Sequence, residues 1–287
     1  MSDRAFHVFG VPFRTGSFHP GNENDAAAWR DAGLLDRLRA AGCAAADEGD
    51  LAVPSYLPHH LVPPIRNWPG PRIVWDLLVE RLAPHLREPG RVPMLVGCDC
   101  SVVAGTAQAI RSVSDEVHVL YIDGDFDDAA PDPSKCLSAA ALAVWLLTNE
   151  SPFCSAPPLL PSQVTVIGWS KPSLCPERGV GSVSLSEIRR SSPAETARRI
   201  LDSLSPAASV LVHFDIDVIA DRELPAAYFP HPEGLTLAET ADLLRAILPD
   251  PRVQLIEISE YATLRDLDRR YIAQLIDMFA RAVAINR

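Results

Sequence analysis

The sequence predicts an α/β fold, with a largely parallel sheet carrying helices on both faces. Two observations carry this. Short β-type apolar runs alternate with segments of helical periodicity along the whole chain, the pattern of strands joined by helical crossovers. Two of the strands also end on carboxylates, in Tyr121-Ile122-Asp123-Gly124-Asp125-Phe126-Asp127 and His213-Phe214-Asp215-Ile216-Asp217. The carboxyl ends of strands are where open α/β sheets collect ligands and metals.

Residues 5–11 read as the first strand. Asn24 or Asp25 then caps a helix in which Leu34, Leu35, Leu38 and Ala41 recur at helical spacing. The proline-rich stretch 54–71 is a loop, and 73–86 an amphipathic helix ended by Pro89-Gly90. A buried strand at 93–97 leads into Cys98-Asp99-Cys100-Ser101 and a small-residue helix to Ile110. Strand 117–122 runs into the acidic loop, and 137–147 is the next helix. Segment 152–161 holds four prolines and is a surface loop, not a domain boundary, because the alternation resumes unchanged beyond it. Strand 164–168, helix 194–204 and strand 209–214 follow. Thr236-Leu237-Ala238-Glu239 has the form of a capping box and opens a helix to Ile247. A strand at 253–259 and a helix from about Asp266 to Ala284 complete the pattern. With no internal repeat and no low-complexity tract, residues 1–287 read as a single domain.

Composition narrows the function classes. The chain is 47% hydrophobic, enough for a sizeable core. Its 26 basic and 37 acidic residues give a net charge of −11, which argues against nucleic acid as a partner and suits a cationic substrate or metals. Met1-Ser2-Asp3-Arg4 leads straight into a strand without a signal pattern, and no apolar run approaches the roughly 18 residues of a membrane span. A cytoplasmic location is expected. The cysteines (Cys43, Cys98, Cys100, Cys136, Cys154 and Cys175) form neither a small-scaffold framework nor a CxxC pair, and read as reduced thiols.

The acidic strand ends carry the chemistry. An isolated buried charge costs several kcal/mol or more, so carboxylates at the ends of buried strands call for a cation. A solvated acidic loop is the plain alternative for the five aspartates together.

Motifs along the whole chain resemble those of the ureohydrolases, the family of arginase and agmatinase. Gly97-Cys98-Asp99-Cys100-Ser101 resembles the family's Gly-Gly-Asp-His-Ser, Asp123-Gly124-Asp125-Phe126-Asp127 its Asp-Ala-His-x-Asp, and Phe214-Asp215-Ile216-Asp217 its Phe-Asp-x-Asp. Ile256-Glu257-Ile258-Ser259-Glu260 is similar to the strand ending in the family's substrate-facing glutamate. Gly10-Val11-Pro12-Phe13-Arg14-Thr15-Gly16, Ala32-Gly33-Leu34-Leu35 and Gly49-Asp50-Leu51 look like arginase as well. The resemblance implies a three-layer α/β/α domain with a mainly parallel eight-stranded sheet. It also implies two Mn²⁺ ions whose bridging hydroxide attacks a guanidinium carbon. Carried over residue by residue, one metal would see Cys100, Asp123, Asp127 and Asp215, and the other Asp123, Asp125, Asp215 and Asp217. Glu260 would hold the substrate cation.

The departures are chemical. Cys100 and Asp125 stand where the family has histidine ligands. Five aspartates and a thiolate would bring six negative charges against four positive ones, which raises the pKa of bridging water and firms the hold on a guanidinium. A site with one tightly bound metal, or with Asp125 or Cys100 protonated or swung away, stays open on this reading. The family's acid/base histidine falls near Ser138, and no histidine occurs between His118 and His213. His231 and His19 are candidates for that proton relay; for either, an ordinary loop histidine is the alternative. Cys98 reads as packing, and Asp99 and Glu257 as structural groups. Gly168-Trp169-Ser170-Lys171-Pro172-Ser173 offers no carboxylate to read an α-amino group, and Phe229 stands where arginase has a threonine. Unmodified arginine is therefore disfavoured. Cysteine for histidine with no acid/base histidine resembles the branch that cleaves Nω-hydroxyarginine, whose less basic leaving group needs less help from an acid.

The expectation is a metal hydrolase acting on a guanidine or modified guanidine C–N bond. Two other classes remain open: a pseudoenzyme or binding protein without a complete dinuclear centre, and a metal-dependent amidohydrolase or lyase on another substrate.

Overall fold

In a computed structural model, which describes residues 4–19, 21, 23–170 and 179–284, the alternation builds one sheet. Its strands are Ala5–Gly10 (β1), Ala44–Asp50 (β2), Arg91–Cys98 (β3), Val117–Ile122 (β4), Val164–Ile167 (β5), Gly181–Val183 (β6), Ser209–Asp215 (β7) and Val253–Ser259 (β8). All neighbours pair in parallel, in the order β2-β1-β3-β8-β7-β4-β5-β6. The helices are Asp25–Asp31 (α1), Leu34–Ala40 (α2), Gly70–Leu86 (α3), Val103–Arg111 (α4), Ala143–Thr148 (α5), Leu185–Arg190 (α6), Pro193–Ser203 (α7), Leu237–Ile247 (α8) and Arg270–Val283 (α9).

Alternation along each strand divides the core into two apolar layers. Val8, Met94, Ile122, Val212 and Ile256 face one side, where Leu34, Leu38, Ile200, Leu244 and Phe279 of α2, α7, α8 and α9 pack. Phe9, Leu95, Val119, Leu211 and Leu255 face the other, against Val74 and Leu78 of α3, Ile110 of α4 and Val144 of α5. The result is the three-layer α/β/α arrangement with eight parallel strands. No helix among the described residues is long and apolar enough to cross a membrane.

Several element boundaries differ from the sequence reading. The expected helix from Asn24 to Ala41 is two helices, because Gly33 takes a left-handed conformation (φ +84°) between them. The 137–147 helix opens as a 3₁₀ turn, Ala140–Leu142, before α5, and Leu137 bridges Ile65 instead. α9 starts at Arg270 rather than near Asp266. The Asp266 carboxylate accepts from the Tyr271 and Ile272 amides at 3.1 and 2.8 Å and so caps the first turn from outside it. The edge strands β2 and β6 and the helix α6 have no counterpart in that reading.

Candidate metal centre

The site lies at the carboxyl ends of the four central strands, β3, β8, β7 and β4. At the end of β3, Gly97 adopts φ +80° where α1 crosses so closely that a Cβ would sit 2.8 Å from the Ala26 Cα. Asp99 then accepts from the Ser101 amide at 3.0 Å and starts a 3₁₀ turn, Cys100–Val102. It also accepts from the Gly16 amide at 3.0 Å. This fixes Cys100, whose Sγ–H donates to Asp215 at 2.7 Å.

The two acidic loops are Asx-type turns that interlock. The Asp125 amide donates to the Asp123 carboxylate at 2.6 Å, and the Asp217 amide to the Asp215 carboxylate at 2.8 Å. Asp217 in turn accepts from the Gly124 amide at 3.1 Å, joining the loop after β4 to the one after β7. Position 124 must be glycine, since a Cβ there would lie 2.6 Å from the His231 Cδ2 and 2.9 Å from the Asp217 carbonyl. Asp127, at φ +44°, accepts from the Tyr121 hydroxyl at 2.7 Å.

The six metal-ligand candidates and Glu260 converge here, and the two candidate relay histidines stand outside that set. Cys100, Asp125, Asp127, Asp215, Asp217 and Glu260 line one cavity of about 210 Å³, with buried Asp123 adjoining Asp215 behind it. Glu260 follows β8 at φ +60°; its Oε2 accepts from the Ser17 hydroxyl at 3.3 Å, while its Oε1 is buried without a hydrogen-bond partner. His231 Nε2 lies 3.3 Å from both Asp125 and Asp217, in ion-pair contact and out of hydrogen-bond alignment. It stands behind those carboxylates rather than among the residues that line the cavity. His19 is exposed at the rim with Phe18 and Phe229, away from the carboxylates' contacts. Ser138 is buried in the wall and accepts from the Ala141 amide. Lys171, Pro172 and Ser173 lie outside the described residues.

The expected structural groups have clear contacts. Cys98 donates to the Ile258 carbonyl within the core. Glu257 is fully buried and accepts from the Thr106 hydroxyl and from His213 Nδ1, the latter at 2.6 Å. His213 is the residue that sequence reasoning passed over. One signal was available: on β7 it precedes Asp215 by two residues, so the two side chains share a face.

Electrostatically the cluster is unbalanced. Burial first, and mutual repulsion second, push Asp123, Asp215, Glu260 and the Cys100 thiol well above their ordinary pKa ranges. Asp127 rises to about 8 for the same reasons, against the pull of its Tyr121 hydrogen bond. Burial opposes charge on His231, yet Asp125 and Asp217 outweigh it and lift the imidazole to about 9. The donor set fits divalent cations. Asp123 Oδ2 is buried with no partner, and donor atoms of Cys100, Asp123, His213 and Asp215 all lie within 4.8 Å of one another.

Comparison with known proteins agrees with this architecture. The hepatic arginase of Aquarana catesbeiana is 26% identical over 260 residues, covering 82% of this chain and 78% of that protein. The Bacillus subtilis arginase is 24% identical over 254 residues, or 83% of each. Among solved structures, Bacillus caldovelox arginase superposes with a TM-score of 0.85 at 19% identity over 99% of both chains. Trypanosoma cruzi formiminoglutamase, solved with Mn²⁺, gives 0.75 at 19% identity over 98% of this chain and 93% of that one. At these identities the structures establish the fold. The Arginase family profile matches residues 4–284, and the chain belongs to that family.

Proposed function

We propose that the chain hydrolyses a C–N bond of a guanidine or modified guanidine, such as an N-hydroxyguanidine, with two divalent cations at the strand ends. The carrying observation is the convergence of Cys100, Asp125, Asp127, Asp215, Asp217 and Glu260 on one cavity with Asp123 adjoining. Cys100 and Asp127 would complete one metal, Asp125 and Asp217 the other, with Asp123 and Asp215 shared; Mn²⁺ suits the oxygen-rich set. When bound, the cation pair supplies Lewis acidity and an activated water nucleophile.

The chain's own residues do the rest. Glu260 offers its unpartnered Oε1 to a guanidinium N–H, a charge-assisted contact at the cavity wall. His231 offsets the surplus negative charge of Asp125 and Asp217, and a small turn of its ring would align Nε2 to relay a proton through Asp125, which borders the cavity. The rim is aromatic where the floor is acidic: Phe18 and Phe229 are exposed there beside His19.

The test is metal analysis of the purified protein, followed by incubation with arginine, agmatine and Nω-hydroxyarginine and detection of urea or hydroxyurea. Release of hydroxyurea or urea by protein carrying about two divalent ions per chain is the expected result. Fewer than about one ion per chain would sink the dinuclear reading. Silence on all three substrates with metals in place would remove guanidines as the substrate class.

A further inference from the structure

We propose that His213 is a metal ligand, so that the inner cation is held by Cys100, Asp123, Asp215 and an imidazole delivered from the interior of β7. The inference rests on the reading above that a cation sits at Cys100, Asp123 and Asp215, and adds to it the donor and metal preference of that position.

Geometry makes the case. The four donor atoms lie within 4.8 Å of one another. Donors around one tetrahedral ion, at zinc bond lengths of about 2.0–2.3 Å, stand roughly 3.3–3.8 Å apart, so side-chain shifts of about 1 Å would close the set. His213 is already aimed. In register with Tyr121 on β4 and Glu257 on β8, its ring stacks on the Tyr121 ring at 4.2 Å between centroids and 8° between planes. Nδ1 lies 2.6 Å from Glu257, with both side chains fully buried. A carboxylate there accepts the hydrogen bond of Nδ1–H and leaves the Nε2 lone pair for a cation, the arrangement found behind metal-bound histidines. Nε2 points toward the cluster: it is 3.3 Å from the Ser259 hydroxyl, which is itself 3.4 Å from the Cys100 sulfur. Glu257, held on its other oxygen by Thr106 of α4, thereby acquires a reason to be buried in mid-strand.

The consequence is a divided centre. Sulfur and imidazole nitrogen beside two carboxylates form a borderline-soft set that favours Zn²⁺, Co²⁺ or Fe²⁺ over Mn²⁺. With the imidazole taking the place given above to Asp127, that carboxylate joins Asp125 and Asp217 in a set that offers only oxygen, which suits Mn²⁺ or Mg²⁺. The imidazole absent from position 100 is thus regained from the strand beneath it.

The experiment is a Co²⁺ titration of the metal-free full chain followed by near-ultraviolet and visible absorption. The wild type is expected to show a thiolate-to-cobalt band that Cys100→Ser abolishes. His213→Gln is expected to weaken the first Co²⁺ at least about tenfold, the lower bound for losing even an outer partner of a metal ligand, and to alter the visible ligand-field bands. Since His213→Gln could unfold a buried position, cadmium NMR of the wild type provides a second readout, with scalar coupling expected between the metal and the His213 ring protons. A wild type that takes up no Co²⁺ overturns the inference together with the proposed function. A wild type with the thiolate band, but with His213→Gln unchanged in affinity and spectrum or no cadmium coupling to His213, overturns the inference alone.

Discussion

Glu260 holds a left-handed backbone conformation that a residue with a Cβ adopts at a cost of about 1 kcal/mol or more. Two main-chain bonds keep it there, its amide to the Cys98 carbonyl at 3.0 Å and its carbonyl to the Tyr228 amide at 2.9 Å. The carboxylate is thereby fixed in the cavity wall with one oxygen unpartnered. Glu260→Gln should raise KM for a cationic guanidine at least tenfold with metal content unchanged, because removing one partner of a buried charge pair costs about 2–5 kcal/mol; steady-state kinetics beside metal analysis would show it. His231→Asn should leave KM near the wild type and lower kcat about a hundredfold, the scale of lost acid–base help. A matched rise in KM would instead assign His231 to substrate binding. At this scale the carboxylates were legible because they sit in two dense runs with known spacing. His213 was not, since on a buried strand it occupies a slot that reads as core, and its meaning comes from Glu257 across the β7–β8 register. The contact of His231 with Asp125 and Asp217 was hidden likewise, as loops distant in sequence meet only when the strands align.

Elements fix those residues through close approach. β3 can deliver Asp99 and Cys100 to the centre because α1 crosses at Gly97 with no side chain between them. Gly97→Ala meets two obstacles, a positive φ and the Ala26 backbone, and should destabilise the fold by about 2–3 kcal/mol. Urea unfolding would measure this, and a loss under 0.5 kcal/mol, roughly the size of an ordinary surface change, would refute the close-packing account. On β4, His118 bonds the Thr165 hydroxyl of β5 at 3.0 Å, and burial lowers its pKa from 6.5 to about 4. Between those values the unfolded chain binds more protons than the native one, so this contribution is present above pH 6.5 and lost as pH falls toward 4. His118→Gln should flatten that fall by something on the order of 2 kcal/mol in urea midpoints taken across the window. Strands with β-branched runs, such as Ser209–Asp215, were readable from sequence. The edge strand β2, Ala44-Ala45-Ala46-Asp47-Glu48-Gly49-Asp50, was not, because it contains no such run. It owes its place to backbone pairing with β1 and to Arg30, which binds Asp47 and Asp50.

Across the whole molecule, the centre joins rather than decorates the sheet. Its donors come from the ends of β3, β4, β7 and β8, which are contiguous in the sheet order, and they place several buried carboxylates together in a chain of net charge −11. Without cations that cluster repels itself in a medium that screens poorly. Cations bound there as proposed would select the native state alone and stabilise it by linkage, about 2.7 kcal/mol when free metal is a hundred times its dissociation constant. In a domain of this size each kcal/mol moves Tm by about 2–4 °C, so chelation should lower Tm by roughly 5–10 °C relative to protein in that excess of metal. Because the ligands tie central strands, the loss should appear in the single cooperative transition followed by far-ultraviolet circular dichroism, with no separate early loop event. An unchanged transition on chelation would mean that the carboxylates reach neutrality through their own protons, and that the strand ends meet without a metal to join them.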